Sequence, residues 1–163
     1  MILYIVRHAW AADPTDESPD DRLRPLTNEG RKRFGRLVEI LADRELAPEL
    51  IVTSPLVRCR ETADLLARGV RKTSEVIERD ELAPGGNLQG IVGWTNREAN
   101  RRAAVAWVGH APDVGYLTAM LIGNSNGAIR FAKGGVAAID FDGPIRPGCG
   151  ELRWLVTAKI LGC

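Results

Sequence analysis

The chain has 163 residues, 45% of them hydrophobic and 26% charged, and its 22 basic residues against 21 acidic ones leave a net charge of +1. That is material for one ordinary domain with a core of its own, residues 1–163, and the even charge excludes the broad basic footprint of a nucleic-acid binder. Three cysteines without CxxC spacing exclude a disulfide framework and a structural zinc cluster, and two histidines without HExxH argue against catalytic zinc.

Residues 2–6 form a continuous apolar run, as in a strand buried on both faces, and the run leads straight into Arg7 and His8. It is too short and too poor in basic residues for a signal peptide, and no apolar run approaches the roughly 20 residues of a membrane span. The reading is a cytoplasmic protein with no membrane partner.

Residues 13–24, rich in Asp, Pro and Arg, read as a loop. Thr27 reads as a helix N-cap, followed by Phe34, Leu37, Val38 and Leu41 on one helical face. Residues 50–53 predict a second buried strand. Ser54-Pro55 ends it and opens a helix that carries Arg58, with Ala63, Leu66 and Ala67 on its apolar side. Residues 75–78 predict a partly exposed strand, Pro84-Gly85-Gly86 a turn, and 87–102 a stretch that is helical in part. Residues 104–108 predict a buried strand running into Gly109-His110, with a helix over 114–122. The segment 128–161 departs from this alternation, with strands at 136–141 and 152–159 flanking a Gly/Pro turn region. Strands alternating with helices over the first two-thirds indicate an α/β domain, three-layered, with a largely parallel central sheet and helices on both faces.

In an open parallel sheet ligands bind outside the carboxyl ends of the strands. Arg7 and His8 follow the first strand, Ser54 and Arg58 the second, and His110 the strand at 104–108. Both histidines of the chain and two arginines therefore converge on one edge. Arginine presents a planar fork that matches phosphate oxygens, a helix N-terminus beside Ser54 favours an anion, and imidazole is a nucleophile at neutral pH. Together these groups suit phosphoryl transfer.

These residues resemble a known pattern. Arg7-His8-Ala9 after an N-terminal strand is similar to the signature of the histidine phosphatase superfamily, the phosphoglycerate mutase-like proteins, with Ala where Gly is usual. Arg24-Pro25-Leu26-Thr27 with Gly30, Ser54-Pro55-Leu56-Val57-Arg58, Glu81-Leu82 before Pro84-Gly85-Gly86, and Gly109-His110-Ala111-Pro112 resemble, in order, the blocks of its small SixA-like branch. The resemblance runs from residue 2 to about 122. It implies His8 as the nucleophile that becomes phosphohistidine, Arg7 and Arg58 as clamps on the phosphoryl oxygens, and His110 as a further phosphoryl contact that stabilises growing charge if protonated. It implies no cofactor or metal.

Four assignments stay open at this point. Arg24 is a phosphate contact or a loop arginine. Ser54 contacts phosphate or caps a helix. Glu81 is the general acid or a solvated carboxylate. Trp10 flanks the pocket mouth or packs, while Cys59 beside Arg58 is read as packing inward. Three functions compete: a phosphatase for phosphohistidine in a protein partner, a phosphatase for a small phosphomonoester, and a non-catalytic phosphate-recognition module.

Overall fold

In the computed structural model residues 1–13, 20–99, 101–124, 126–127 and 129–163 are described. Part of the predicted 13–24 loop, position 100 of the predicted partly helical stretch and the start of the 128–161 segment lie outside them.

The strands are β1 (Ile2–Arg7), β2 (Leu50–Thr53), β3 (Glu75–Glu78), β4 (Ala104–Gly109), β5 (Val136–Asp140) and β6 (Glu151–Val156). They form one sheet in the order β3-β2-β4-β1-β5-β6. β3, β2, β4 and β1 are parallel, while β5 and β6 add antiparallel pairs at the other side, so the sheet is mixed. The helices are α1 (Asn28–Ala42), α2 (Val57–Gly69), α3 (Leu88–Glu98) and α4 (Asp113–Leu121).

Side chains alternate across a strand, and here the alternation builds two cores. Tyr4, Val6, Ile51, Ala106 and Val108 face Phe34, Leu37 and Val38 of α1 and Ala63 and Leu66 of α2. Leu3, Ile5, Val52, Val105 and Trp107 face Ile91 of α3 and Val114, Leu117 and Leu121 of α4. Three layers result, as the apolar runs predict. Each fully buried Leu or Phe contributes on the order of 1.5–3 kcal/mol. Among the described residues no helix is long and apolar enough to cross a membrane.

Local chemistry sets the ends of the elements. Thr27 Oγ1 accepts from Gly30 N–H at 2.9 Å and starts α1. A Cβ on Gly30 would lie 2.5 Å from the Trp10 carbonyl oxygen, so glycine is what allows α1 to approach the chain leaving β1. α3 forms despite Gly90 and Gly93 because Asn87 caps it, and Thr95 accepts from the buried Trp107 Nε1 at 3.1 Å.

Candidate active site

Register places the two imidazoles side by side. β1 and β4 run parallel with Arg7 opposite Gly109, and His8 N–H continues the ladder to Gly109 O at 3.0 Å. His8 and His110 therefore leave adjacent strand ends, with ring centroids 5.3 Å apart. β2 joins β4 with Thr53 opposite Val108, and Ser54 N–H bonds Val108 O at 3.0 Å, which delivers Ser54 and then α2 to the same edge.

His8 is 7% exposed. Its Nδ1 lies 2.7 Å from the Ala9 carbonyl oxygen. A carbonyl only accepts, so Nδ1 carries the hydrogen and Nε2 keeps its lone pair. Burial, with smaller help from the Arg58 and Arg7 charges, lowers the His8 pKa to about 4. The ring is thus neutral at neutral pH, with the Nε2 lone pair unshared.

His110 is 4% exposed, and burial followed by the Arg58 charge lowers its pKa to about 3. Its Nε2 lies 2.9 Å from Ser54 Oγ and 3.4 Å from Cys59 Sγ. Ser54 Oγ also accepts from Leu56 N–H at 3.3 Å, so the hydroxyl ties the ring by Nε2 to the start of α2 and leaves Nδ1 as the ring nitrogen without a partner. Burial among guanidiniums favours the neutral ring, so the condition under which His110 would bring a charge to the site, protonation, is disfavoured in the protein alone.

Three buried side-chain nitrogens lack a hydrogen-bond partner among the described residues: Arg7 Nε, Arg58 Nε and His110 Nδ1. All three belong to this edge. Arg7 Nη1 donates to Phe131 O at 2.8 Å, which fixes the guanidinium while leaving Nε free. Buried polar nitrogens are normally paired, so three unpaired ones at the sheet edge that carries His8 are a set that could receive the oxygens of an anion. Among the described residues no group of three or more His, Cys, Asp and Glu could hold a metal ion.

The remaining candidates have other engagements. Ser54, fully buried, serves His110, and the residue at the α2 cap position is Leu56. Arg24 places Nε and Nη2 on Asp21 Oδ1 at 2.9 and 2.7 Å, and Nη1 on Ala12 O at 3.1 Å, so its fork faces a carboxylate and not the imidazoles. Glu81 sits on the turn Asp80–Leu82, paired with Arg79 at 3.0 and 2.5 Å, and this bond holds its carboxyl below the ordinary range. A general acid must keep its proton near neutral pH, and this pairing works against that. Cys59 does pack inward; burial pushes its thiol up to about 12. Trp10 packs partly buried against the core, with the Arg33 guanidinium 4.3 Å from its ring centre. Asp21, bound to Arg58, is a site neighbour that sequence reasoning misses within the Asp-rich loop; a carboxylate three residues before Arg24 is the only signal for it in the sequence.

Three comparisons with known proteins agree with this geometry. The sequence profile of the histidine phosphatase superfamily (branch 1) matches residues 3–125. An uncharacterised protein of Picosynechococcus sp. is 36% identical over 141 residues, 85% of this chain and 84% of that one. The phosphohistidine phosphatase SixA of Escherichia coli is 26% identical over 155 residues, 94% and 92% of the two chains. A solved structure of the protein histidine phosphatase SixA complexed with tungstate superposes with a TM-score of 0.86 at 25% identity, covering 99% of both chains.

Proposed function

The chain belongs to the histidine phosphatase superfamily, and from that premise we propose that it is a phosphatase that works through a covalent phosphohistidine on His8 and removes the phosphoryl group from phosphohistidine in a protein. The observation that carries this reading is the set of three unpaired buried nitrogens at the sheet edge where His8 keeps its Nε2 free.

The chemistry follows from that set. Nε2 attacks phosphorus in line; a P–N bond to His8 forms as the bond to the leaving imidazole breaks, and that imidazole takes a proton from solvent. Water then attacks the phosphoryl group on His8. The electron pair of the P–N bond returns to Nε2, one proton goes to solvent and inorganic phosphate leaves. Arg7 and Arg58 hold the equatorial oxygens through their forks, and His110 donates from Nδ1. Ser54 and Ala9 set the tautomers of the two rings.

The state of Glu81 supports phosphohistidine as the substrate. An imidazole can be protonated by solvent before it departs, whereas an alkoxide needs a positioned acid. A carboxylate locked to Arg79 is poorly suited to that task. Likeness to SixA, a phosphohistidine phosphatase, supports the same substrate class. The test is a direct comparison of kcat/KM on a phosphohistidine-bearing protein and on sugar or nucleotide monophosphates. Preference for the phosphohistidine protein is expected. Wide preference for the small esters would overturn the substrate assignment and favour the phosphomonoesterase reading.

A further inference from the structure

Arg58 is 4% exposed, and the two edges of its guanidinium have different fates. The terminal edge is occupied by one residue: Nη1 donates to the Asp21 carbonyl oxygen at 2.7 Å and Nη2 to Asp21 Oδ2 at 2.9 Å. The lateral edge consists of Nε–H and the second hydrogen of Nη2, and Nε is one of the three unpaired buried nitrogens. A guanidinium held at its terminal edge by two oxygens of one residue cannot rotate in its plane without losing both bonds.

Asp21 is itself braced. It lies on the short turn Asp21–Leu23, where the Asp20 side chain accepts from Arg22 N–H, and its Oδ1 receives both Nε and Nη2 of Arg24. Arg24 is tied back to Ala12 O, in the segment leaving β1 that pairs with residues 25–27. Burial alone would raise the Asp21 carboxyl; the Arg24 hydrogen bond and the Arg58 charge outweigh it and hold the group below its ordinary range, as a carboxylate. Its side chain is 54% exposed.

We propose that Asp21 is a positioning residue for phosphoryl transfer: it pins the terminal edge of Arg58 so that the lateral edge meets the phosphoryl oxygens, and Arg24 holds the Asp21 carboxylate in place. The inference rests on the reading of Arg58 as a phosphoryl ligand. It gives Arg24 a role two residues removed from the substrate, through Asp21 and Arg58. The competing physical account makes Asp21 an internal rival that the phosphoryl group must displace from Arg58, and the two accounts differ in the sign of the effect on turnover.

The experiment measures kcat and KM on a phosphohistidine-bearing protein for Asp21→Asn and Asp21→Glu, each also in an Arg58→Ala background. Asp21→Asn is expected to lower kcat about 10- to 100-fold, as loss of alignment at a reacting centre does. KM should change by less than about threefold, because the interaction matters most in the transition state. Asp21→Glu should recover part of the loss, and Asp21→Asn should cost nothing more once Arg58 is Ala. An unchanged or raised kcat in Asp21→Asn would overturn the proposal in favour of displacement. A loss that persists in the Arg58→Ala background would overturn it in favour of a role apart from Arg58. Full activity in Arg58→Ala alone would remove the phosphoryl-ligand reading itself, and the inference with it.

Discussion

At the carboxyl ends of β1, β2 and β4, His8, Ser54, Arg58 and His110 are at most 7% exposed, and His8, Arg58 and His110 are each held by hydrogen bonds that leave one nitrogen free. At the rim, on the turn Asp80–Leu82, Glu81 is partly exposed and spends its carboxylate on the neighbouring Arg79. The floor is set by strand register and buried partners; the rim is set by a pair of surface side chains. The contrast teaches that a polar residue in the right place becomes a reactive group only when its own partners leave the relevant atom unpaired. In the proposed mechanism the floor does the chemistry and the rim little.

Four measurements probe that contrast. The largest effect is expected for Arg7→Ala, which removes a buried donor beside the nucleophile: kcat/KM on a phosphohistidine protein should fall about 10²- to 10³-fold. A loss below about threefold would mean the floor does not act as a unit. Ser54→Ala comes next. It takes away the hydroxyl that bonds His110 Nε2, leaving Cys59 Sγ as the neighbour of that nitrogen, and strands Leu56 N–H in a buried site. Turnover should fall about tenfold and stability by about 1–3 kcal/mol. ¹⁵N shifts of the His110 ring should show the hydrogen leaving Nδ1, which a merely structural role would not produce.

The third measurement is a pH titration of the imidazoles by NMR. His8 and His110 should stay neutral down to about pH 5, with midpoints near about 4 and about 3. An ordinary histidine would titrate near 6.5. The sign for stability follows: the unfolded chain takes up these protons first as pH falls below about 6.5, so the stability of the neutral rings is complete above that pH. It is lost progressively as pH drops towards the folded values. Midpoints near 6.5 would show that the floor is wet and the contrast with the rim false. The smallest effect belongs to Glu81→Gln, expected to change turnover of phosphohistidine by less than about threefold because no positioned acid is needed. A loss of tenfold or more would move Glu81 into the mechanism.

Much of this was legible in the sequence because the strands that matter are buried on both faces. The apolar runs at 2–6, 50–53 and 104–108 announced the central strands, and each ends at its polar residues. The helical face of Phe34, Leu37, Val38 and Leu41 was equally plain. The antiparallel pairing of β5 and β6 was not, since two strands after a Gly-rich segment carry no sign of direction. Within the site, proximity could be inferred but hydrogen-bond allegiance could not. Arg24 and Glu81 were visible as charges, whereas their partners Asp21 and Arg79 were ordinary charged residues of loop and turn until the fold joined them. Ser54 illustrates the same limit: Ser-Pro before a helix reads as a cap, yet its hydroxyl is turned to an imidazole 56 residues further along the chain.

The central claim is that Nε2 of His8 takes the phosphoryl group. Rapid quench of the protein with a phosphohistidine-bearing protein, at alkaline pH where the N–P bond survives, followed by mass spectrometry of its peptides, tests it most directly. A phosphoryl adduct should appear on the peptide that carries His8, within the first turnover, and be missing from His8→Ala. An adduct on another residue, or full turnover by His8→Ala, would contradict the account.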